Sequence, residues 1–246
     1  EGFAPLPEGF VYAPYNDAEA TEKLISDKTC AIMLEMVQGE GGVNPADPEF
    51  VNAIAELCEK HGLLLIVDEI QTGIGRTGKL FAYEHYGIEP DLFTLAKGLG
   101  SGMPIGALLG KEKLREAFSA GSHGSTFGGN YLSTAAGIAT LETILNEKLS
   151  ERAAELGDYI LSELKSKLAG NPLVTDIRGI GLLIGIGLTG PAAEWIQAIH
   201  EQGVLVVSAG PNVIRLAPSL LIAKEDLDRG LETICTTLAK AAGAAV

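Results

Sequence analysis

Positive charge is scarce in this 246-residue sequence: 18 Lys and Arg stand against 32 Asp and Glu, a formal net charge of −14. No basic patch could offset that field, which argues against nucleic acid or an anionic membrane as a partner. An anionic substrate would need cations placed locally. Cysteine is sparse too. Cys30, Cys58 and Cys235 form no CxxC pair. Cys30 and Cys58 lie within apolar patterns, where buried reduced thiols of a cytoplasmic protein are expected. The four histidines make no HxxH or HExxH arrangement, so no metal site is expected. No apolar run reaches the length of a membrane span. The start, Glu1-Gly-Phe-Ala-Pro-Leu-Pro, has neither an initiator Met nor signal-peptide organisation, and reads as the interior of a longer protein.

What is present is globular: 46% hydrophobic and 20% charged residues, enough for one large domain or two smaller ones. The chain is organised around Leu63-Leu-Leu-Ile-Val-Asp68-Glu69-Ile-Gln71, which runs on into Gly73-Ile-Gly75-Arg76-Thr-Gly78. An unbroken branched apolar run predicts a buried parallel strand. Ligands of open α/β sheets bind beyond the carboxyl ends of such strands, which makes Asp68 a site candidate. A plain strand end with a capping acid is the competing reading for Asp68, and the one that suits Glu69.

Before that strand, Asp17 predicts an N-cap for a helix over Ala18 to Ser26, and Cys30 to Val37 a strand with Glu35 intruding. Asp47-Pro48-Glu49 starts a helix that Gly62 stops. After it, the spacing predicts a short helix from Lys79 to Tyr86, a strand Leu92 to Ala96, a strand Pro104 to Gly110 and a helix Lys111 to Phe118. This alternation implies right-handed crossovers and a mostly parallel sheet. A Gly/Ser/Thr loop at 121–130 leads into a long helical region, Tyr131 to Leu168, with interruptions expected near Asn146 and Gly157. The remainder reads as a smaller α/β unit. Its expected strands are Val174–Arg178, Leu182–Leu188, Val204–Val207 and Val213–Ala217, with helices Ala192–Gln202 and Lys224–Ala241. The expected domains are 1–148 and 149–246.

Gly73-Ile-Gly75-Arg-Thr-Gly78 matches the dinucleotide pattern G-x-G-x-x-G, but in the wrong context. Its first glycine does not follow the strand directly, and Asp91 precedes the next strand instead of closing it. A nicotinamide nucleotide is therefore not expected.

Asp68 after one strand and Lys97 after the next need a joint explanation. Lys97 opens Lys97-Gly98-Leu-Gly100-Ser-Gly102, whose glycines allow close backbone approach by a ligand. A solvated lysine at a strand end is the plain alternative, though it leaves the apolar approach and the glycines unexplained. A lysine that forms an imine and an acid that holds a pyridinium nitrogen protonated are the two groups pyridoxal 5′-phosphate (PLP) requires. The 121–130 loop, with Ser125 and Thr126, would suit the phosphate.

The segments LEMVQGEGGVNPADPEF, LLLIVDEIQTGIGRTGKLFAYEHYGIEPDLFTLAKGLG, MPIGALLG, HGSTFGGN and VIRLAPSLLI cover nearly the whole chain. They closely resemble the class III (ω-amino acid) aminotransferases. The resemblance implies a fold-type I PLP-dependent transferase, α/β in class, with an incomplete large domain and a smaller C-terminal one. It implies Lys97 as the Schiff-base lysine and proton shuttle, Asp68 as partner of the ring nitrogen, and Gln71 as contact of the ring hydroxyl. Thr126, with Ser125 beside it, would bind the cofactor phosphate of the neighbouring subunit, which makes a homodimer with its site at the interface. Arg215 would bind the substrate α-carboxylate and Glu40 would cover that arginine when the other substrate is bound. From the residues alone, an ordinary salt bridge suits Glu40 and Arg215 as well. Arg76 is assigned to holding its loop.

The implied reaction moves the terminal amino group of N-acetylornithine to 2-oxoglutarate, with ornithine or 4-aminobutyrate as alternative donors. Met36, Tyr131 and Ser219 stand where the family usually has proline. The family's chain starts well before Glu1, and its earlier phosphate loop, ring-stacking aromatic and second substrate arginine have no counterpart here. An N-terminal fragment of the same protein is therefore an implied partner, and the chain without it an implied inactive piece.

Overall fold

The computed structural model describes residues 4–243; Glu1–Phe3 and Ala244–Val246, parts of the expected opening stretch and terminal tail, lie outside them. In chain order the first half holds α1 (Ala18–Leu24), β1 (Ala31–Glu35), β2 (Val37–Gln38), β3 (Asn44–Pro45), α2 (Pro48–His61), β4 (Leu64–Asp68), β5 (Leu92–Leu95) and β6 (Ala107–Gly110). The second half holds α3 (Tyr131–Asn146), α4 (Leu149–Lys167), β7 (Val174–Ile180), β8 (Leu183–Leu188), α5 (Ala193–His200), β9 (Val207–Ser208), β10 (Val213–Leu216) and α6 (Lys224–Gly243).

The first sheet has the order β1-β4-β5-β6. Strands β1, β4 and β5 run parallel, and their ends align: Glu35 stands opposite Asp68, and Asp68 opposite Thr94. Strand β6 is antiparallel to β5, where a further parallel strand would fit the expected alternation. The link 96–106 holds only a 3-10 turn over Lys97–Gly100. A parallel return needs a crossover of a dozen or more residues, usually a helix. One face of the sheet packs on α2, whose Phe50, Val51, Ile54 and Leu57 meet Leu65 and Val67 of β4.

The second sheet has the order β7-β8-β10-β9, antiparallel throughout. Alternate residues Ile184 and Ile186 of β8 face a core built with Ile160 and Leu164 of α4, Ile199 of α5, and Leu231 and Ile234 of α6. This core is contiguous and fully apolar, and burying each such side chain contributes roughly 1.5–3 kcal/mol.

Several local expectations need correction. The helices expected at 79–86 and 111–118 are 3-10 turns, Ala82–His85 and Glu112–Ala117, the latter without a buried residue. So short a segment without a buried stripe has nothing to stabilise a full α-helix. The long helix breaks at Lys148, in the left-handed region with φ +52°, and runs unbroken through Gly157. Cys30 is exposed, against expectation, because it precedes β1 and lends the sheet only its carbonyl, which accepts from Leu64 N. Cys58 and Cys235 are buried, and burial pushes both thiols up to about 11. Asp17 caps α1 as expected, accepting from Ala20 N at 2.8 Å. Asp47 sits at the N-cap of α2 without a side-chain cap bond. Among the described residues no helix is long and apolar enough to cross a membrane.

Candidate active site

The carboxyl ends of β1, β4 and β5 place Glu35, Asp68 and Thr94 in one row. Asp68 Oδ1 accepts from Ile70 N at 2.9 Å, a turn closure that leaves its other oxygen without a partner among the described residues. The Thr94 hydroxyl is buried and has no hydrogen-bond partner among the described residues. An orphaned buried hydroxyl is costly and calls for an explanation such as a bound water or ligand. Beyond Thr94 the chain turns sharply. Lys97 adopts φ +40°, a strained backbone for a lysine, and its side chain is exposed, with no ion pair among the described residues. Strain of this kind costs roughly 1–3 kcal/mol and collects at functional sites.

Lys97 and Gln71 border a cavity of about 690 Å³ whose other walls include Ile74, Thr140, Ile144 and Leu220. Its size suits a small-molecule site. On the far side of Gln71 stands Arg215 of β10. Its Nη1 donates to Glu40 Oε1 at 2.8 Å, to the Gly39 carbonyl at 2.9 Å and to Gln71 Oε1 at 3.2 Å. Gln71 Nε2 in turn donates to Glu40 Oε1 at 2.8 Å. The pair is asymmetric: the Arg215 side chain is 13% exposed and that of Glu40 is 71% exposed. The hydrogen bond from Arg215, chiefly, holds the Glu40 carboxyl below its usual range. Only the Glu40 end is open to water, so Glu40 can return to solvent while the largely buried Arg215 keeps its bonds to the Gly39 carbonyl and Gln71 Oε1.

Glu35 gains a place that its sequence position hid. Its Oε2 accepts from Gly39 N at 3.2 Å, at the root of the turn that carries Glu40. Burial, then the negative Asp68 beside it, raises its carboxyl above the usual range. A charged residue interrupting an apolar strand was the only available signal.

Glu69 and Arg76 are structural. Glu69 is buried and accepts from the Thr72 hydroxyl and from Tyr83 N, tying the loop after β4 to the Ala82–His85 turn. Arg76 donates to the carbonyls of Leu182 and Pro218, bolting the same loop to the second half of the chain. Gly75 and Gly78 of the G-x-G-x-x-G match serve this packing: a Cβ on Gly75 would stand 3.1 Å from Ser150 Oγ, and one on Gly78 2.8 Å from Ala154 Cβ, both of α4. A helix flank, not a pyrophosphate, occupies the space they open.

Burial raises the Glu69 carboxyl, so the folded state holds that proton more tightly than the unfolded chain. Its contribution to stability is complete below the ordinary value of 4.5 and falls as pH rises through the raised one. Glu69→Gln, which mimics the protonated form, is expected to flatten that decline. Denaturant titrations at about pH 4.5 and about pH 8 measure it; an unchanged decline would remove Glu69 as its source.

Ser125 and Thr126 stand apart. They lie in an exposed loop and border neither Lys97 nor its cavity within one chain. The three positions without the usual proline are accommodated. Met36 is fully buried with its carbonyl accepting from Ala46 N, Ser219 Oγ accepts from Leu221 N, and Tyr131 projects outward.

A family model, aminotransferase class-III, matches residues 1–238. This chain belongs to the class III aminotransferases. Acetylornithine aminotransferase of Streptococcus mutans is 49% identical over 230 residues, covering 94% of this chain and 61% of that protein. The enzyme of the same name from Bacillus subtilis is 49% identical over 239 residues, covering 97% and 62%. The crystal structure of acetylornithine aminotransferase from Elizabethkingia anophelis superposes with TM-score 0.89 at 40% identity, over 94% of this chain and 60% of that one. Ornithine aminotransferase from Toxoplasma gondii superposes with TM-score 0.93 at 35% identity, over 98% and 58%. The fold is thus that of the fold-type I PLP-dependent transferases. This class III chain spans about three-fifths of the length of the relatives it matches.

Proposed function

We propose that this chain is the larger part of a PLP-dependent aminotransferase that moves the terminal amino group of N-acetylornithine to 2-oxoglutarate. The carrying observation is the row at the sheet's carboxyl edge, with the partner-free amine of Lys97 one turn beyond it. The residues fit PLP: Asp68 offers a free carboxylate oxygen, Lys97 a free amine at the cavity wall, and Thr94 an unused hydroxyl between them in sequence. PLP, when bound, supplies the carbonyl carbon that receives the amino group and a protonated ring that withdraws electrons.

The side chains divide the remaining work. The Lys97 amine would hold the cofactor and, once displaced by the substrate amine, would move the proton from one carbon atom to another, general-base and general-acid work suited to an exposed Nζ. The Asp68 carboxylate would keep the ring nitrogen protonated by its charge, and Gln71 would contact the ring hydroxyl. The guanidinium of Arg215 matches a carboxylate's two oxygens and binds the α-carboxylate of 2-oxoglutarate. Glu40 neutralises Arg215 when the ω-amine donor is bound. Ser125 and Thr126, remote from Lys97 in their own chain, serve the partner's cofactor phosphate in a cytoplasmic homodimer. The large-domain portion is 1–148 and the small domain 149–246.

The donor is assigned from the 49% identity to acetylornithine aminotransferases; the likeness to solved ornithine aminotransferases keeps ornithine as the alternative, followed by 4-aminobutyrate. A donor panel on the holoenzyme tests this. N-acetylornithine is expected to give the highest kcat/KM, and preference for free ornithine or 4-aminobutyrate would overturn the assignment. A second reading, that the chain works only with an N-terminal part, is supported by its surface. Among the described residues the outer edge of β6 is unpaired, and Leu108, Phe127, Tyr131 and Leu132 are exposed. Exposed apolar side chains and an open strand edge are what a partner segment would cover.

A further inference from the structure

We propose that Arg178 is the positioning residue of the Glu40 gate: it fixes the turn that holds Glu40 against Arg215 and so sets the balance between ω-amine and α-carboxylate substrates. The inference rests on the roles given above to Glu40 and Arg215.

Glu40 sits in the turn between β2 and β3, whose ladder pairs Val37 with Pro45 and Gln38 with Asn44. A two-residue ladder is too short to hold a turn rigid in water. The rigidity comes from the second sheet. Arg178, on β7, donates through Nη2 to the Gly42 carbonyl at 2.6 Å and through Nε to the Val43 carbonyl and Asn44 Oδ1, both at 3.1 Å. Its Nη1 is paired with Asp176 on the same strand. Asn44 passes the constraint onward, donating to Gln38 Oε1 at 3.3 Å and to the Gly41 carbonyl at 3.0 Å. Every residue of the turn but Gly39 and Glu40 is thereby tied to Arg178 directly or through one intermediary.

Packing fixes the same turn from below. Val43 is wholly buried among Leu183, Ala209 and Val213, at φ +53°, a backbone that a β-branched residue adopts only under constraint. A Cβ on Gly185 of β8 would lie 2.9 Å from Val43 Cβ, so glycine there is what admits the valine. Two arginines on one sheet therefore bracket the turn. Arg215 holds the mobile half, Gly39 and Glu40; Arg178 holds the fixed half, Gly42 to Asn44. A swinging Glu40 needs a fixed pivot, and the guanidinium fork supplies several donors from one rigid plane, which a lysine cannot.

Without that pivot the turn loosens, Glu40 covers Arg215 less often, and the bare guanidinium favours α-carboxylate substrates. The test compares Arg178→Met, Glu40→Ala and the double variant in the holoenzyme, by kcat/KM for N-acetylornithine and for glutamate in the donor half-reaction. Arg178→Met is expected to lower the N-acetylornithine-to-glutamate ratio about tenfold, the effect of losing one charge-assisted hydrogen bond. It is expected to change nothing further when Glu40 is already alanine. Arg178→Lys, which keeps the charge but not the fork, is expected to fall between and serves if the methionine variant does not fold. Equal losses on both substrates, or full additivity with Glu40→Ala, would overturn the proposal and leave Arg178 a merely structural clamp. An unchanged ratio in Arg178→Met beside a collapsed one in Glu40→Ala would overturn it alone. An unchanged ratio in Glu40→Ala would overturn the gate and Arg178's part in it together.

Discussion

Lys97→Ala is expected to lower turnover of N-acetylornithine with 2-oxoglutarate by at least about 10³-fold, within the range of losing a general base together with the group that holds the cofactor. Stability is expected to stay unchanged. The side chain is exposed and makes no ion pair among the described residues, so its truncation opens no cavity and strands no partner there. Alanine also retains the strain at φ +40°, whereas glycine would relieve it and confuse the comparison. Steady-state rates on PLP-incubated protein, with thermal unfolding alongside, separate the two. A variant that is active within tenfold of the parent would remove Lys97 from the chemistry.

Asp68→Asn is the second large effect. A carboxylate about 4 Å from a protonated ring nitrogen, at the effective dielectric of a partly buried site, is worth about 4 kcal/mol, or about 10³ in equilibrium. The substitution removes the charge and leaves an oxygen that can still accept from Ile70 N, so the turn after β4 survives. Glu35, next in the row, cannot substitute: its carboxylate is engaged by Gly39 N, and burial raises it so that it charges less readily. The expected result is weaker retention of PLP on dialysis and a rate loss of about 10²–10³, the Coulombic figure discounted for screening. Full activity with full cofactor retention would assign Asp68 to strand termination alone.

The parts of this site that the sequence made legible share one property: their signals are local. The apolar run ending at Asp68, the turn glycines after Lys97 and the Asp17 cap each depend on neighbours within a few residues. Strand β4 and the ends of β1 and β5 followed from that. The direction of β6 did not, because a strand's orientation depends on the link before it, and the residues of 96–106 look alike whether they turn back or cross over. Cys30 reads as buried from its apolar neighbours, yet it lies one residue outside the strand that would bury it. The register that lines Glu35 up with Asp68 is a tertiary fact, as is the grip of Arg178 on Gly42, some 136 positions away. Arg178 looks like any charged residue on a half-exposed strand until the sheet that carries it meets the turn. The residues proposed for the chemistry stood out in the sequence; Arg178, proposed to position them, did not.

The bond between this chain and its cofactor is the most direct test. PLP is added to the chain alone and with the N-terminal part supplied, the mixture is reduced with borohydride, and the labelled peptide is located by mass spectrometry. The account predicts one stable pyridoxyl mark, on the Lys97 peptide, in at least one of the two mixtures. A mark absent from Lys97 in both, or scattered over the surface lysines, would contradict it.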